Sequence, residues 1–395
     1  MKRWCVPLVA TVMVAVLILA GCAQPAATTT PTTPTTPTVP TTPTTPTTPT
    51  TPTEPTEPTT SDNPFEGLGI KPDGTPYHFA FSFVGEVNDY PIFCKNLWES
   101  YMKRAGATSS VLDCVMDVNT QVSQLEDMLG RSPDAVLIYP IDGQACGPVV
   151  DRYGQAGIPV FNEEGTIPSE YVVTQVTHDM HLMGETAGNF AIETAEKLDK
   201  HLNVYVLYGD LRMGEVAITR GQGFLDAADT SDMVTAIKGP DCGFTDAPAA
   251  DAVISAFPAN PDLNGVYEMG CMAFGAAEGL RTVDRLYPVG DPNHVFFVGN
   301  DEFQPVCELI EDGWCDGVVS HSPYKELTTC VKVMFTNVIL GESVPDKIII
   351  PSVIVSSDDV GTEKWELTWG NIMRNKTPWD DLPVGEWGIF PTPTK

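Results

Sequence analysis

The chain has 395 residues, and its 22 lysines and arginines face 52 aspartates and glutamates, a formal charge of −30. So acidic a surface repels phosphate backbones and anionic headgroups, which excludes nucleic-acid binding and polybasic attachment to lipid. The ten cysteines include no C-x-x-C pair and no metal-ligand spacing, so neither a metal site nor a cofactor is expected.

In chain order, residues 1–21 come first, with Lys2 and Arg3, an apolar run over 6–20 and small residues leading to Cys22. This is the order of a secretory signal. The apolar run is shorter than the roughly 20 residues that span a bilayer. The segment resembles a bacterial lipoprotein signal, and that resemblance makes Cys22 the lipidation site and places the rest of the chain outside the cytoplasm, held at the membrane by lipid. Residues 22–62 then read as a tether, with proline at every third position from Pro31 to Pro58. Proline removes backbone donors and fixes φ, so the tether is extended, on the order of 100 Å at roughly 3 Å per residue.

From Tyr77 onward, short apolar or β-branched runs alternate with amphipathic stretches. Strands are predicted over 78–84, 109–115, 135–140, 159–163, 171–176, 203–209, 233–239, 265–269, 295–301, 316–321 and 347–355. Helices are predicted over 91–105, 119–130, 143–156, 180–197, 215–228, 246–257, 272–285, 302–312 and 323–340. Alternating β and α elements imply parallel sheets covered on both faces, and this many strands imply two doubly wound α/β sheets. Ligands of such sheets bind beyond the carboxyl ends of the strands. Those positions hold Glu86, Asn88, Asp89, Tyr90, Asp142, Asn162, Glu163, Glu164, Asp210, Arg212, Glu268, Asn300, Asp301 and His321. They are rich in carboxylates and amides and contain no paired nucleophile and base, so no catalytic residue and no enzyme activity is expected. Eight cysteines remain beyond Cys22, an even number that permits disulfides in an exported chain, with Cys307 and Cys315 the first pair to test; free buried thiols are the competing reading.

Eight segments, YPIF (90–93), VLIYPIDG (136–143), AGIPV (156–160), HDMHLMGETAG (178–188), TRGQGF (219–224), NPDLNGVYEMG (260–270), VGNDE (298–302) and GVVSHSP (317–323), occur in the order and spacing of a known family. The chain thereby resembles the type I periplasmic binding proteins that serve ABC sugar transporters, ribose binders among them. The resemblance implies two lobes joined by three crossovers, near Thr177, His321 and Ile348. Lobe 1 is then 76–177 plus 322–346, lobe 2 is 178–321 plus 347–358, and 359–395 is a tryptophan-rich extension whose indoles are expected to pack. It further implies a monomer that delivers a small sugar or polyol to a membrane permease; a sensory receptor of the same fold is the alternative.

Position by position, the family's sugar-stacking aromatics correspond to Phe93 and Phe244, with Ile92 where another aromatic stands. Tyr90 and Glu86 fall at hydrogen-bonding positions, Glu164 or Glu163 at the acid after the fourth strand, Asp301 at the late aspartate, and His321 at a hinge glutamine. Gly165, Ile218 and Gly270 replace two arginines and an asparagine, and Arg212 stands near enough to substitute for one of them. The acceptor-rich set of Glu86, Glu163, Glu164 and Asp301 also leaves open a cationic amine caged by Tyr90, Phe93 and Phe244. His178 and His181, at i and i+3, read as surface residues, and Arg220 as a structural ion pair.

Overall fold

The computed structural model describes residues 63–211 and 214–385. The expected signal, Cys22, the tether to residue 62, Arg212 and Trp387 lie outside the described residues. The strands are β1 (His78–Phe83), β2 (Thr108–Asp113), β3 (Ala135–Ile138), β4 (Val160–Glu163), β5 (Val172–His178), β6 (Leu202–Tyr208), β7 (Val234–Asp241), β8 (Gly265–Glu268), β9 (Phe296–Asn300), β10 (Gly317–Val319), β11 (Lys347–Ile350) and β12 (Ile354–Ser356). The helices are α1 (Asp89–Ala105), α2 (Val118–Leu129), α3 (Gly143–Gln155), α4 (Met180–Leu198), α5 (Gly214–Ala228), α6 (Asp246–Ala259), α7 (Ala273–Thr282), α8 (Gln304–Glu311), α9 (Pro323–Val338), α10 (Glu363–Glu366) and α11 (Trp369–Asn375).

Two six-stranded sheets form, in the orders β11-β5-β4-β3-β1-β2 and β12-β10-β9-β8-β6-β7. Among the described strands all pairings are parallel except β10 with β12. This is the pair of doubly wound sheets that the family resemblance implies. The order reverses beside β1 in one sheet and beside β6 in the other, so each sheet has a switch point with a crevice at its carboxyl end. The first sheet is buried on both faces, with Phe79, Phe81 and Phe83 toward α1 and α9, and Ala80, Val136 and Ile138 toward α2 and α3. Its core begins before residue 76, because Phe65 is fully buried against Tyr101 and Phe335.

The third crossover differs from the expected position. Ile348 pairs with Val176 inside the first sheet, so 347–350 belongs to lobe 1 and the chain crosses at 351–353. KIIIPSVIV reads as one strand, yet Pro351 has no N–H to continue a ladder, and the run divides between the two sheets. Of the two readings of the cysteines, the free thiols hold, and Cys307 and Cys315 are not bridged. Cys307 points at the Glu302 carbonyl and Cys315 at the Phe297 carbonyl, and all eight body cysteines are free thiols.

Helices α4 and α5 cross at glycines. A Cβ added to Gly184 would stand 1.8 Å from the carbonyl oxygen of Arg220 and 2.9 Å from the nitrogen of Phe224. Gly184→Ala is therefore expected to force the helices apart and lower stability by about 2 kcal/mol, seen as a thermal midpoint several degrees lower. An unchanged midpoint would show that the crossing has slack.

Candidate functional site

Several polar residues after the strands are taken up by helix starts. Asn88 accepts from the N–H of Tyr90 at 3.0 Å, Asp142 from Gln144 and Ala145 at 2.9 and 3.2 Å, and Asp179 from Leu182 at 3.0 Å. These side chains are N-caps, which explains their type without a ligand. A different group of strand-end residues is held in left-handed backbone: Glu164 (φ 58°), Phe244 (φ 54°), Cys271 (φ 57°) and Asp301 (φ 67°). Side chains other than glycine rarely adopt this conformation, and it concentrates where a fold aims groups at a site.

Glu164 follows β4 in the first lobe and Asp301 follows β9 in the second; His321, on the second crossover, stands between them. Its Nε2 lies 2.5 Å from Glu164 Oε1 and its Nδ1 2.9 Å from Asp301 Oδ1. Only the imidazolium donates from both nitrogens. Burial opposes that charge, but Glu164 and Asp301 outweigh it and push the ring's pKa up to about 9. Glu164 in turn is held below the usual carboxylate range, against its burial, by His321. Asp301 is held low against its burial by Arg220 first and His321 second.

Arg220 of α5 is 1 % exposed and donates Nη1 to the Met269 carbonyl at 2.8 Å and to Asp301 at 3.3 Å. Gly270 (φ 130°) makes room for this pair, since a Cβ there would stand 2.3 Å from Asp301 Oδ2. On the first-lobe side the Tyr90 ring stacks on His321, centroids 4.9 Å apart. The Tyr90 hydroxyl lies 2.9 Å from both Glu164 Oε1 and Glu326 Oε2. One hydroxyl proton serves only one of them, so the other contact takes its proton from Glu326. Burial and then the charge of Glu164 push Glu326 well above the usual range, which keeps that proton in place. Glu326 Oε1 also accepts the N–H of Glu164 at 2.9 Å. A continuous hydrogen-bonded chain thus runs from Glu326 through Tyr90, Glu164 and His321 to Asp301 and Arg220, from one lobe into the other.

Glu164, His178, His321 and Glu326 also offer ligand atoms within 4.8 Å of one another, a spacing that invites a metal. Their proton positions fit a hydrogen-bond network better. His178 Nε2 accepts the N–H of Ser322 at 3.3 Å, so Nδ1 carries the ring proton and faces Glu326 Oε2 at 3.2 Å. A metal ligand needs that nitrogen's lone pair.

Of the sequence-predicted residues, the structure brings Tyr90, Glu164, Asp301 and His321 together. Glu163 lies directly beneath, fully buried, accepting from Cys94 Sγ at 3.2 Å; burial and the neighbouring Glu164 push it up to about 8. Phe244 is half-buried beside Gly209, where a Cβ would come within 2.1 Å of its ring. Glu86 is not brought in, because it is exposed and pairs with Lys95. Phe93 is corrected as well. Its ring is enclosed in the first-lobe core, edge-on to Trp379 at 4.9 Å and Trp369 at 6.4 Å. His178 is buried rather than a surface residue, because it closes the network on Glu326; His181 is exposed and pairs with Asp226.

Sequence reasoning missed Glu326 and Glu302. Glu326 shares its helix face with Cys330 and Val333, and an acid on a buried stripe is the signal that was available.

Residues 79–343 match a family model described as a periplasmic binding protein domain. The chain is 25 % identical over 237 residues to the ribose import binding protein RbsB of Bacillus subtilis (strain 168), covering 60 % of this chain and 73 % of that protein. It is 27 % identical over 173 residues to the galactofuranose-binding protein YtfQ of Escherichia coli (strain K12), covering 43 % and 54 %. Among solved structures, the binding protein component of the arabinose ABC transporter from Shewanella sp. ANA-3, bound to α- and β-L-arabinofuranose, matches the fold with a TM-score of 0.64 at 18 % identity, covering 76 % of this chain and 98 % of that one. A galactofuranose binding protein matches with a TM-score of 0.63 at 22 % identity, covering 74 % and 98 %. These relatives are solute-binding proteins rather than enzymes.

Proposed function

Because the chain belongs to the periplasmic binding protein family, we propose that it is an extracytoplasmic receptor that binds a small sugar or polyol between its lobes and hands it to the permease of an ABC importer. Lipid on Cys22 and the Thr-Pro tether keep it at the membrane, where its effective concentration near the permease is high. The observation that carries this reading is the convergence of one strand-end carboxylate from each lobe, Glu164 and Asp301, on the crossover residue His321. Carboxylate oxygens are strong acceptors for sugar hydroxyls, and a ligand that engages both has reason to draw the lobes together.

The ion balance favours a neutral ligand over a cationic amine. Arg220 and protonated His321 already offset Asp301 and Glu164, so a second cation would enter a neutralised site. Phe244, at the end of β7, supplies an apolar ring for the sugar's face.

Calorimetry with pentoses, hexoses, polyols and polyamines tests this. A sugar or polyol is expected to bind, and Asp301→Asn and Phe244→Ala are each expected to weaken it at least about 10-fold, or 1.4 kcal/mol. Binding of a polyamine alone, or unchanged affinity in both variants, sinks the assignment.

A further inference from the structure

Residues 357–385 follow the last strand of the second lobe and lie beyond the span matched by the family model. They begin on one lobe and end on the other. Trp365 of α10 is 2 % exposed in the second-lobe core. α11 runs beside α8, where the N–H of Gly370 donates to the Glu302 carbonyl at 2.8 Å and Arg374 Nη1 to Glu311 Oε2 at 2.5 Å. Past α11 the anchors belong to the first lobe. Asp380 accepts from Ser100 Oγ at 2.7 Å and Lys103 Nζ at 2.5 Å, Arg104 donates to the Leu382 carbonyl at 3.1 Å, and Leu382 and Val384 are buried in the first-lobe core.

Trp369, at the middle, touches both lobes. Its ring centroid is 6.3 Å from that of Phe303 in the second lobe, and 6.1 and 6.4 Å from those of Tyr90 and Phe93 in the first. The indole is 3 % exposed and its Nε1 has no acceptor among the described residues, so ring packing alone holds it there. A cavity of about 270 Å³, lined by Glu302, Ser320, Val353, Val355, Leu367 and Thr368, lies where the segment passes the second and third crossovers. The segment therefore bridges the hinge without filling the space against it.

We propose that this strap is a fourth tie between the lobes, and that Trp369 is a positioning residue which holds Tyr90 and the Asp301–Phe303 turn in fixed relation before any ligand arrives. On one side the ring backs Tyr90, whose hydroxyl meets Glu164. On the other, Gly370 holds Glu302, whose carboxylate accepts Ser320 Oγ and the N–H of His321, each at 2.7 Å. Release of the strap loosens the hinge from both directions. The inference does not rest on the identity of the solute.

Hydrogen–deuterium exchange on the ligand-free full chain tests it. Trp369→Ala is expected to accelerate exchange of the amides of His321 and Ser322, both hydrogen-bonded to side chains at the crossovers, by tenfold or more, with the sheets unchanged. Trp369→Phe, which gives up no hydrogen bond, restores near wild-type rates. Gly370→Ala places a Cβ 2.5 Å from the Glu302 oxygen and lifts α11 without touching the indole, so it is expected to accelerate the same amides. Acceleration confined to 357–385 in both alanine variants overturns the proposal. Should Trp369→Ala loosen both sheets throughout, Gly370→Ala decides by the same criterion.

Discussion

Arg220→Met is expected to lower the unfolding free energy by about 3–5 kcal/mol, the range for removing one partner of a buried ion pair. The guanidinium is enclosed between α5, the Met269 carbonyl and Asp301, and its loss leaves a buried carboxylate with His321 alone for compensation. The test is a double-mutant comparison by urea unfolding. Arg220→Met with Asp301→Asn removes both charges and is expected to recover part of the loss, because the cost lies in the uncompensated charge rather than in the missing contact. A loss under about 1 kcal/mol in the single variant, or no recovery in the double, would show that Arg220 is a passenger in the site.

The second large effect is a decline in stability on the alkaline side of neutrality. His321 has its pKa raised to about 9 from an ordinary 6.5, so its contribution is complete below pH 6.5 and is lost as the pH climbs through 9. The raised pKa corresponds to roughly 3 kcal/mol, shared with the carboxylates that cause it. The groups facing the ring are Glu164, Asp301, Arg220, Tyr90, His178 and Glu302. Glu163 and Glu268, each pushed up to about 8 chiefly by burial, lose stability in the same direction between pH 4.5 and 8. On the acid side, Glu164 and Asp301 lose theirs as the pH falls below their ordinary carboxylate range, and His178, kept neutral first by burial, loses its own below 6.5. Thermal midpoints at pH 6.5, 7.5 and 9 should therefore fall with rising pH, and His321→Gln should flatten the step from 7.5 to 9. Identical slopes in the two proteins would mean that the ring does not carry the charge.

Most strands and helices were legible because hydrophobic periodicity is a local property: α4, read over 180–197, runs Met180–Leu198. The lobe boundary at Ile348 was not, because only pairing with β5, some 170 residues earlier, decides which sheet takes the first half of KIIIPSVIV. The same contrast holds in the site. That Glu164, Asp301 and His321 would lie together could be read from their places at or just past strand ends, where the topology of doubly wound sheets aims its polar groups. Phe93 misled because the face of α1 it occupies is closed by Trp369 and Trp379, which no local pattern places there. Glu326 was lost in the apolar stripe of α9, although a buried acid without a local partner is itself a sign of a distant one.

The free thiols carry a consequence for durability. Seven of the eight are buried and Cys271 is partly so. Burial is the leading cause that lifts every one of them, to about 11 for Cys114 and Cys242 and about 12 for Cys146 and Cys307. The thiolate is the nucleophile that attacks oxidants and disulfides, and at such pKa values almost none of it exists near neutral pH. The chain thus keeps its cysteines unpaired and chemically silent, and among the described residues no disulfide crosslinks its lobes.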